Sequence, residues 1–153
     1  MRDQTFGELN YEFGWNGTVL LDCFGKKETV DFIVYGEEES DITDYQRKCF
    51  TAFLEAWNGI QNEVLTQICS YFENLIRELG YGDGPNPQYP LLKDPEKMKE
   101  LIHLDLILIN EEGIYEGRCV GLAFSCTWND ENGLGVLLLN EQVKEIGYQD
   151  IVF

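Results

Sequence analysis

The sequence predicts one α+β domain over residues 1–153, with antiparallel sheet packed on one long central helix and one short helix. Three observations carry this. Turn-punctuated strand patterns fill residues 9–34, an apolar stripe of helical period runs from Tyr45 to Leu79, and strand patterns return after residue 103. Strands, then helices, then strands lack the regular alternation of a dinucleotide-binding fold. The expected sheet is an N-terminal three-stranded meander plus a C-terminal four-stranded meander.

The first strand ends at Phe13. Trp15-Asn16-Gly17 reads as a hairpin turn, because Asn-Gly between apolar residues favours the tight turns that match strand twist. Thr18 to Phe24 follows, with Val19, Leu21 and Cys23 alternating as in a half-buried strand; Gly25-Lys26-Lys27 turns into Glu28 to Val34. Thr43, with Gln46 three residues on, forms a capping box, and Asp44 complements the positive helix end. Tyr45, Cys49, Phe53, Trp57, Ile60, Val64, Ile68, Phe72, Leu75 and Leu79 then mark the packing face, and Gly80 is the expected C-terminal cap. Asn58-Gly59 interrupts the helix; one long bent helix is favoured over two.

Gly82-Asp83-Gly84-Pro85 and Pro87 make a loop that lacks the spacing of a phosphate cradle. Asp94-Pro95 opens a short helix to about Ile102. Leu104 to Ile109 is a strand. From Val120, Leu122, Phe124, Cys126 and Trp128 share one strand face, while Gly121, Ala123, Ser125 and Thr127 share the other. Asn132-Gly133 turns into Leu134 to Leu139, and Val143 to Tyr148 closes the sheet.

A chain of 153 residues, 44% hydrophobic and 13% aromatic, can form its own core without a disulfide or metal staple. The charge is the outlying property: 28 acids against 11 bases leave −17, which repels phosphate backbones and anionic lipid and argues against nucleic-acid and membrane partners. The charge belongs to the whole body. Residues 1–80 carry 15 acids and 6 bases, and residues 81–153 carry 13 and 5. The densest run spans Glu28 to Asp44, which contains no Lys or Arg. Glu37, Glu38, Glu39, Asp41 and Asp44 within it are the candidate partner-binding residues, for which a basic protein is the matching partner. Solvation alone is the competing explanation of such a run.

Cys23, Cys49, Cys69, Cys119 and Cys126 are odd in number and show no Cys-x-x-Cys, so buried apolar packing is expected of them. His103 has no second histidine for a metal site and no nucleophile-elbow partner, so a structural role at a helix-to-strand junction is expected. Asp130-Glu131-Asn132-Gly133 lacks the spacing of a calcium loop and reads as a turn. No motif calls for a cofactor. The N-terminus lacks a signal-peptide pattern, and cytoplasmic location follows as an expectation.

Trp128 to Val136, followed by Val143 to Ile151, resembles the closing hairpin of an uncharacterised bacterial domain family. Phe6-Gly7-Glu8-Leu9, Phe13-Gly14-Trp15, the acidic loop and the helix opened by Ile42-Thr43 extend the resemblance over nearly the whole chain. Some similar small acidic proteins are immunity proteins that accompany polymorphic toxins. The resemblance thus implies a non-catalytic immunity-type inhibitor, and the acidic charge matches a basic, nuclease-like toxin; Trp15 and Trp128, near the hairpin turns, are either aromatic anchors for it or core residues. A structural or regulatory interaction domain, monomeric or homodimeric, is the alternative, followed by a small carboxylate-based hydrolase.

Overall fold

The computed structural model describes residues 1–79 and 95–153. It is an α+β fold. β1 (Arg2–Asp3) and β2 (Gly7–Glu8) form a small ribbon, and β3 (Asn10–Tyr11), β4 (Trp15–Cys23) and β5 (Lys26–Val34) follow. Helices α1 (Asp44–Leu79) and α2 (Pro95–Met98) precede β6 (Ile102–Ile109), β7 (Cys119–Cys126), β8 (Leu134–Leu139) and β9 (Gln142–Gly147). A 3-10 turn, Gln149–Ile151, closes the chain. The seven strands β3 to β9 lie in one sheet in sequence order.

One junction departs from the expected antiparallel pattern. β5 and β6 are parallel, with Asp31 beside Leu106 and Val34 beside Ile109. The helix explains it: 36 residues in one helix extend about 54 Å at 1.5 Å per residue, so the chain can return to the end where β5 began. β6 then runs in the same direction as β5.

The capping box forms as expected. Gln46 N donates to Thr43 Oγ1 at 3.2 Å, and Thr43 N donates to Gln46 Oε1 at 3.1 Å. The helix passes unbroken through Asn58-Gly59, where Gly59 faces open space. Its buried face holds Cys49, Phe53, Trp57, Val64, Ile68 and Phe72, joined by Phe50, Leu65 and Ile76. These meet Val30, Phe32, Leu104, Leu122, Phe124 and Val136 from the sheet in the main core. Trp57 also donates Nε1–H to Asp22 O at 2.9 Å, and Gln61 Oε1 accepts Phe24 N at 2.7 Å, so the β4–β5 turn is docked on the helix.

Asn16-Gly17 is not a turn; both residues lie inside β4. The strand continues because Gly17 sits under a ring: a Cβ there would lie 2.6 Å from Phe32 Cζ, so the absent side chain makes room for packing. The reversal comes earlier, at Glu12-Phe13-Gly14, and the next one falls at Phe24-Gly25, both residues with positive φ. The short helix ends at Met98, four residues before the expected limit, and Met98 is fully buried there. The Gly80 cap, the Gly82–Pro87 loop and the Asp94 cap lie outside the described residues.

The opposite sheet face has its own smaller cluster of Ile33, Leu108, Cys119, Ala123, Leu137 and Val152. The closing turn reaches it because Gly121 and Gly135 leave space: a Cβ on either would come within 2.8 Å of Val152 or 2.6 Å of Tyr148 O. Asn129 holds the turn that follows β7, accepting Asn132 N through Oδ1 and Gly133 N through its carbonyl, each at 3.1 Å. Cys23, Cys49, Cys119 and Cys126 are buried free thiols and Cys69 is half-buried. Burial raises the Cys23 and Cys119 thiols to about 11, so they are packing groups and poor nucleophiles at neutral pH.

Candidate partner-binding surface

Three connecting segments meet at the end of the sheet where β5 and β6 finish. The first is the Glu12–Gly14 turn, the second residues 36–43, and the third residues 110–117. Their sequences contain no Lys or Arg, and they carry Glu12, Glu37, Glu38, Glu39, Asp41, Glu111, Glu112 and Glu116, all exposed.

Short polar ties fix these segments to one another. Tyr11 Oη donates to Gly36 O at 2.9 Å, and Gln46 Nε2 donates to Tyr35 O at 2.6 Å. Tyr35 N donates to Ile109 O at 2.9 Å. Tyr45 Oη donates to Gly117 O at 2.8 Å and accepts Cys119 N at 3.3 Å, which joins the third segment to the first turn of α1. Burial is the main cause that raises the Tyr45 phenol to about 12, so it stays a donor throughout the physiological range. Between the anchored ends, Ile42 is buried and Ser40 N closes a turn on Glu37 O. The acidic side chains therefore project from a fixed backbone.

Four of the five candidate residues share one character, and the fifth differs. Among the described residues Glu37, Glu38, Glu39 and Asp41 have no ion pair, whereas Asp44 Oδ1 is 3.1 Å from Arg47 Nη1 and completes the helix start. Two nearby arginines are engaged inside the molecule. Arg47 donates to Asp3 through Nε at 3.2 Å and Nη2 at 2.9 Å. Arg118 grips Glu141 with Nε and Nη2, at 2.9 and 2.8 Å. These pairs raise both guanidinium groups above their ordinary values, through hydrogen bonds to Asp3 and to Glu141 respectively. They lie around a 510 Å³ hollow beside the acidic end, with Lys48 and Glu55 on its wall.

The aromatic anchors expected from the sequence are core residues. Trp15 is packed edge-on to Tyr11, and Trp128 packs on Phe72 with ring centroids 4.8 Å apart. Burial of the β4 start, which the displaced turn brings about, places Trp15 inside. Phe13 takes the exposed position instead. It is 87% exposed and has φ 61°, a left-handed conformation that is costly for a bulky residue. Gly14, next to it, leaves room for the Ile33 side chain. Ile114 is 58% exposed in the third segment, giving a second apolar group among the acids. The signal that could have located Phe13 is the aromatic-glycine pair between two strand runs, since the glycine supplies the turn that Asn16-Gly17 does not.

His103 lies within β6 on an exposed face, not at a helix-to-strand junction. Asp105 and Glu28 flank its ring. Among the described residues no group of three or more His, Cys, Asp or Glu side chains has metal-site geometry, and no helix is long and apolar enough to cross a membrane.

A family described as a domain of unknown function, DUF6985, matches residues 5–153. No curated protein and no solved structure matches the chain.

Proposed function

The chain belongs to the DUF6985 family of domains of unknown function, and from that premise we propose that it is a non-catalytic binding protein for a basic protein partner. The carrying observation is the acidic end of the sheet: Glu37, Glu38, Glu39 and Asp41, exposed and unpaired, on a loop whose ends are hydrogen-bonded into the fold. A fixed array of like charge accelerates encounter with a cationic surface and favours one orientation. Holding the backbone in place reduces the ordering cost of association. Phe13 and Ile114 supply the apolar contacts that charge alone cannot, because binding energy concentrates in a few desolvated anchors.

The finer reading is that of a bacterial, cytoplasmic immunity-type inhibitor. A nuclease must present a basic groove to nucleic acid, and this acidic end has the complementary charge. The test is co-production with a basic nuclease toxin sought among the neighbouring genes. Wild-type protein protects the cells, and a variant with Glu37, Glu38, Glu39 and Asp41 changed to Lys does not while remaining folded. Full protection by that variant would refute the reading.

A further inference from the structure

Away from the acidic end lies the parallel seam, where, among the described residues, β5 and β6 alone in the sheet run side by side in the same direction. The β5–β6 ladder starts at Asp31 and Leu106 and contains four residue pairs. Just before its start, His103 stands between two carboxylates from different strands. Its Nδ1 is 2.7 Å from Asp105 Oδ1 on β6, and its Nε2 is 3.4 Å from Glu28 Oε2 on β5. Ser125 Oγ, on the neighbouring β7, lies 3.4 Å from the same Asp105 oxygen. β6 and β7 shift register between Leu104 and Leu106, so Asp105 is the extra residue of a bulge.

The chemistry of the three groups selects a protonation state. An ionised carboxylate can only accept, so the ring satisfies both partners only when both its nitrogens donate, and only the imidazolium carries two N–H groups. Neutral imidazole would leave a nitrogen lone pair directed at one carboxylate. The two carboxylates also sit at opposite ring nitrogens, so no single metal ion can bind the ring and both acids. The arrangement fits a proton, not a metal. A Ser-His-Asp relay does not fit either, because Ser125 approaches Asp105 and Nε2 is taken by Glu28.

We infer that Glu28, His103 and Asp105 form a proton-operated clasp across the β5–β6 seam, closed when His103 is charged and released when it is neutral. The groups around the ring agree with this. Glu28 faces it from β5, Asp105 from its own strand, and the Ser125 hydroxyl approaches Asp105 from β7, while Glu100 and Asp130 line with His103 and Ser125 a 280 Å³ hollow that no Lys or Arg lines among the described residues. The Asp105 hydrogen bond is the largest cause that raises the imidazole above its ordinary value; partial burial opposes it, and Glu28 adds to it. A raised folded-state value stabilises the fold fully below the unfolded value, about 6.5, and that contribution is lost as pH rises through the folded value.

The chain contains one histidine, so its ring protons report directly in an NMR titration. The expected midpoint lies above about 6.5, and Glu28→Gln and Asp105→Asn each lower it. Amide protection along β5 and β6, corrected for intrinsic exchange, falls through the same midpoint, about tenfold for each unit of elevation, while the β7–β8 ladder shows no such step. His103→Gln abolishes the step. A midpoint at or below the ordinary value, one indifferent to both carboxylate substitutions, or seam protection without a step would each overturn the inference. These readouts need no partner and stand apart from the acidic-end proposal.

Discussion

Replacement of Asp3 tests how the N-terminal ribbon is fastened to the helix. The carboxylate is 5% exposed and accepts four hydrogen bonds: Oδ1 from Thr5 N at 2.8 Å and Phe6 N at 3.1 Å, Oδ2 from Arg47 Nε and Nη2. Phe6, thus positioned, packs on Phe50 and Phe32 with centroids 4.8 and 5.6 Å away. Asp3→Ala leaves the buried Phe6 amide without an acceptor, at about 1–3 kcal/mol. It also breaks an ion pair whose arginine is 25% exposed, a contribution held to about 1 kcal/mol by solvent screening. The expected loss is about 2–4 kcal/mol, or roughly 4–16 °C in Tm for a chain of this size. Asp3→Asn retains the acceptor for both amides but turns an amide NH2 toward the Arg47 donors, so it loses the ion pair and less than Asp3→Ala does.

Urea unfolding with an unchanged m-value measures both losses. Equal losses for Ala and Asn, or an Ala variant within 0.5 kcal/mol of wild type, would refute the reasoning, that limit being the usual effect of a surface substitution of about 0.5 kcal/mol. The pH dependence has a definite sign. Burial raises the Asp3 carboxyl, but Arg47 and the Thr5 and Phe6 amides outweigh it and hold the group below its ordinary value of 3.8. Its contribution is therefore present above that value and is lost as pH falls through the lower folded-state value. Wild type should lose more stability than Asp3→Asn on acidification in this window, as measured by urea midpoints.

Other substitutions probe the helix, the sheet and the exposed turn. Gly59→Ala should stabilise by about 0.5–1 kcal/mol in a chemical melt, because the site is open and helical; a loss would indicate a break in the helix. Gly17→Ala should cost about 1–3 kcal/mol by forcing Phe32 aside, and a neutral result would restore the turn at Asn16-Gly17. Phe72→Ala should cost about 3–5 kcal/mol by emptying a fully buried site against Trp128. Phe13→Asn should gain up to about 1 kcal/mol, since Asn tolerates positive φ, and should weaken partner binding. A gain in stability with unchanged affinity would remove Phe13 from the interface.

Features written in local chemistry were legible before the structure. The Thr43–Gln46 box, the four-residue stripe of α1 and the alternation along β7 follow from short-range periodicity. Features set by distant packing were not. Asn16-Gly17 has the composition of a turn, and only the Phe32 ring, fifteen residues on, shows why a glycine belongs inside a strand. The parallel seam depends on where a 36-residue helix returns the chain, which no local pattern records. At the candidate surface the acidic run was visible, but its three-segment construction required Tyr11, Gln46 and Tyr45 to cross between elements. Asp44 continues the acidic run in sequence and is exposed like the rest, and only the helix geometry sets it apart by pairing it with Arg47. His103 met its carboxylates through strand pairing and a bulge, neither of which sequence spacing reveals.

The central claim is that the acidic end binds a basic protein by electrostatic steering. Its most direct test is the association rate of the purified partner, measured by stopped flow across ionic strength for wild type and for the variant with Glu37, Glu38, Glu39 and Asp41 changed to Lys. Wild type should associate at about 10⁸ M⁻¹s⁻¹ or faster in low salt and slow steeply as salt rises, and the variant should be slower by at least about tenfold with little salt dependence. Equal rates for the two proteins, or a wild-type rate indifferent to salt, would contradict the claim.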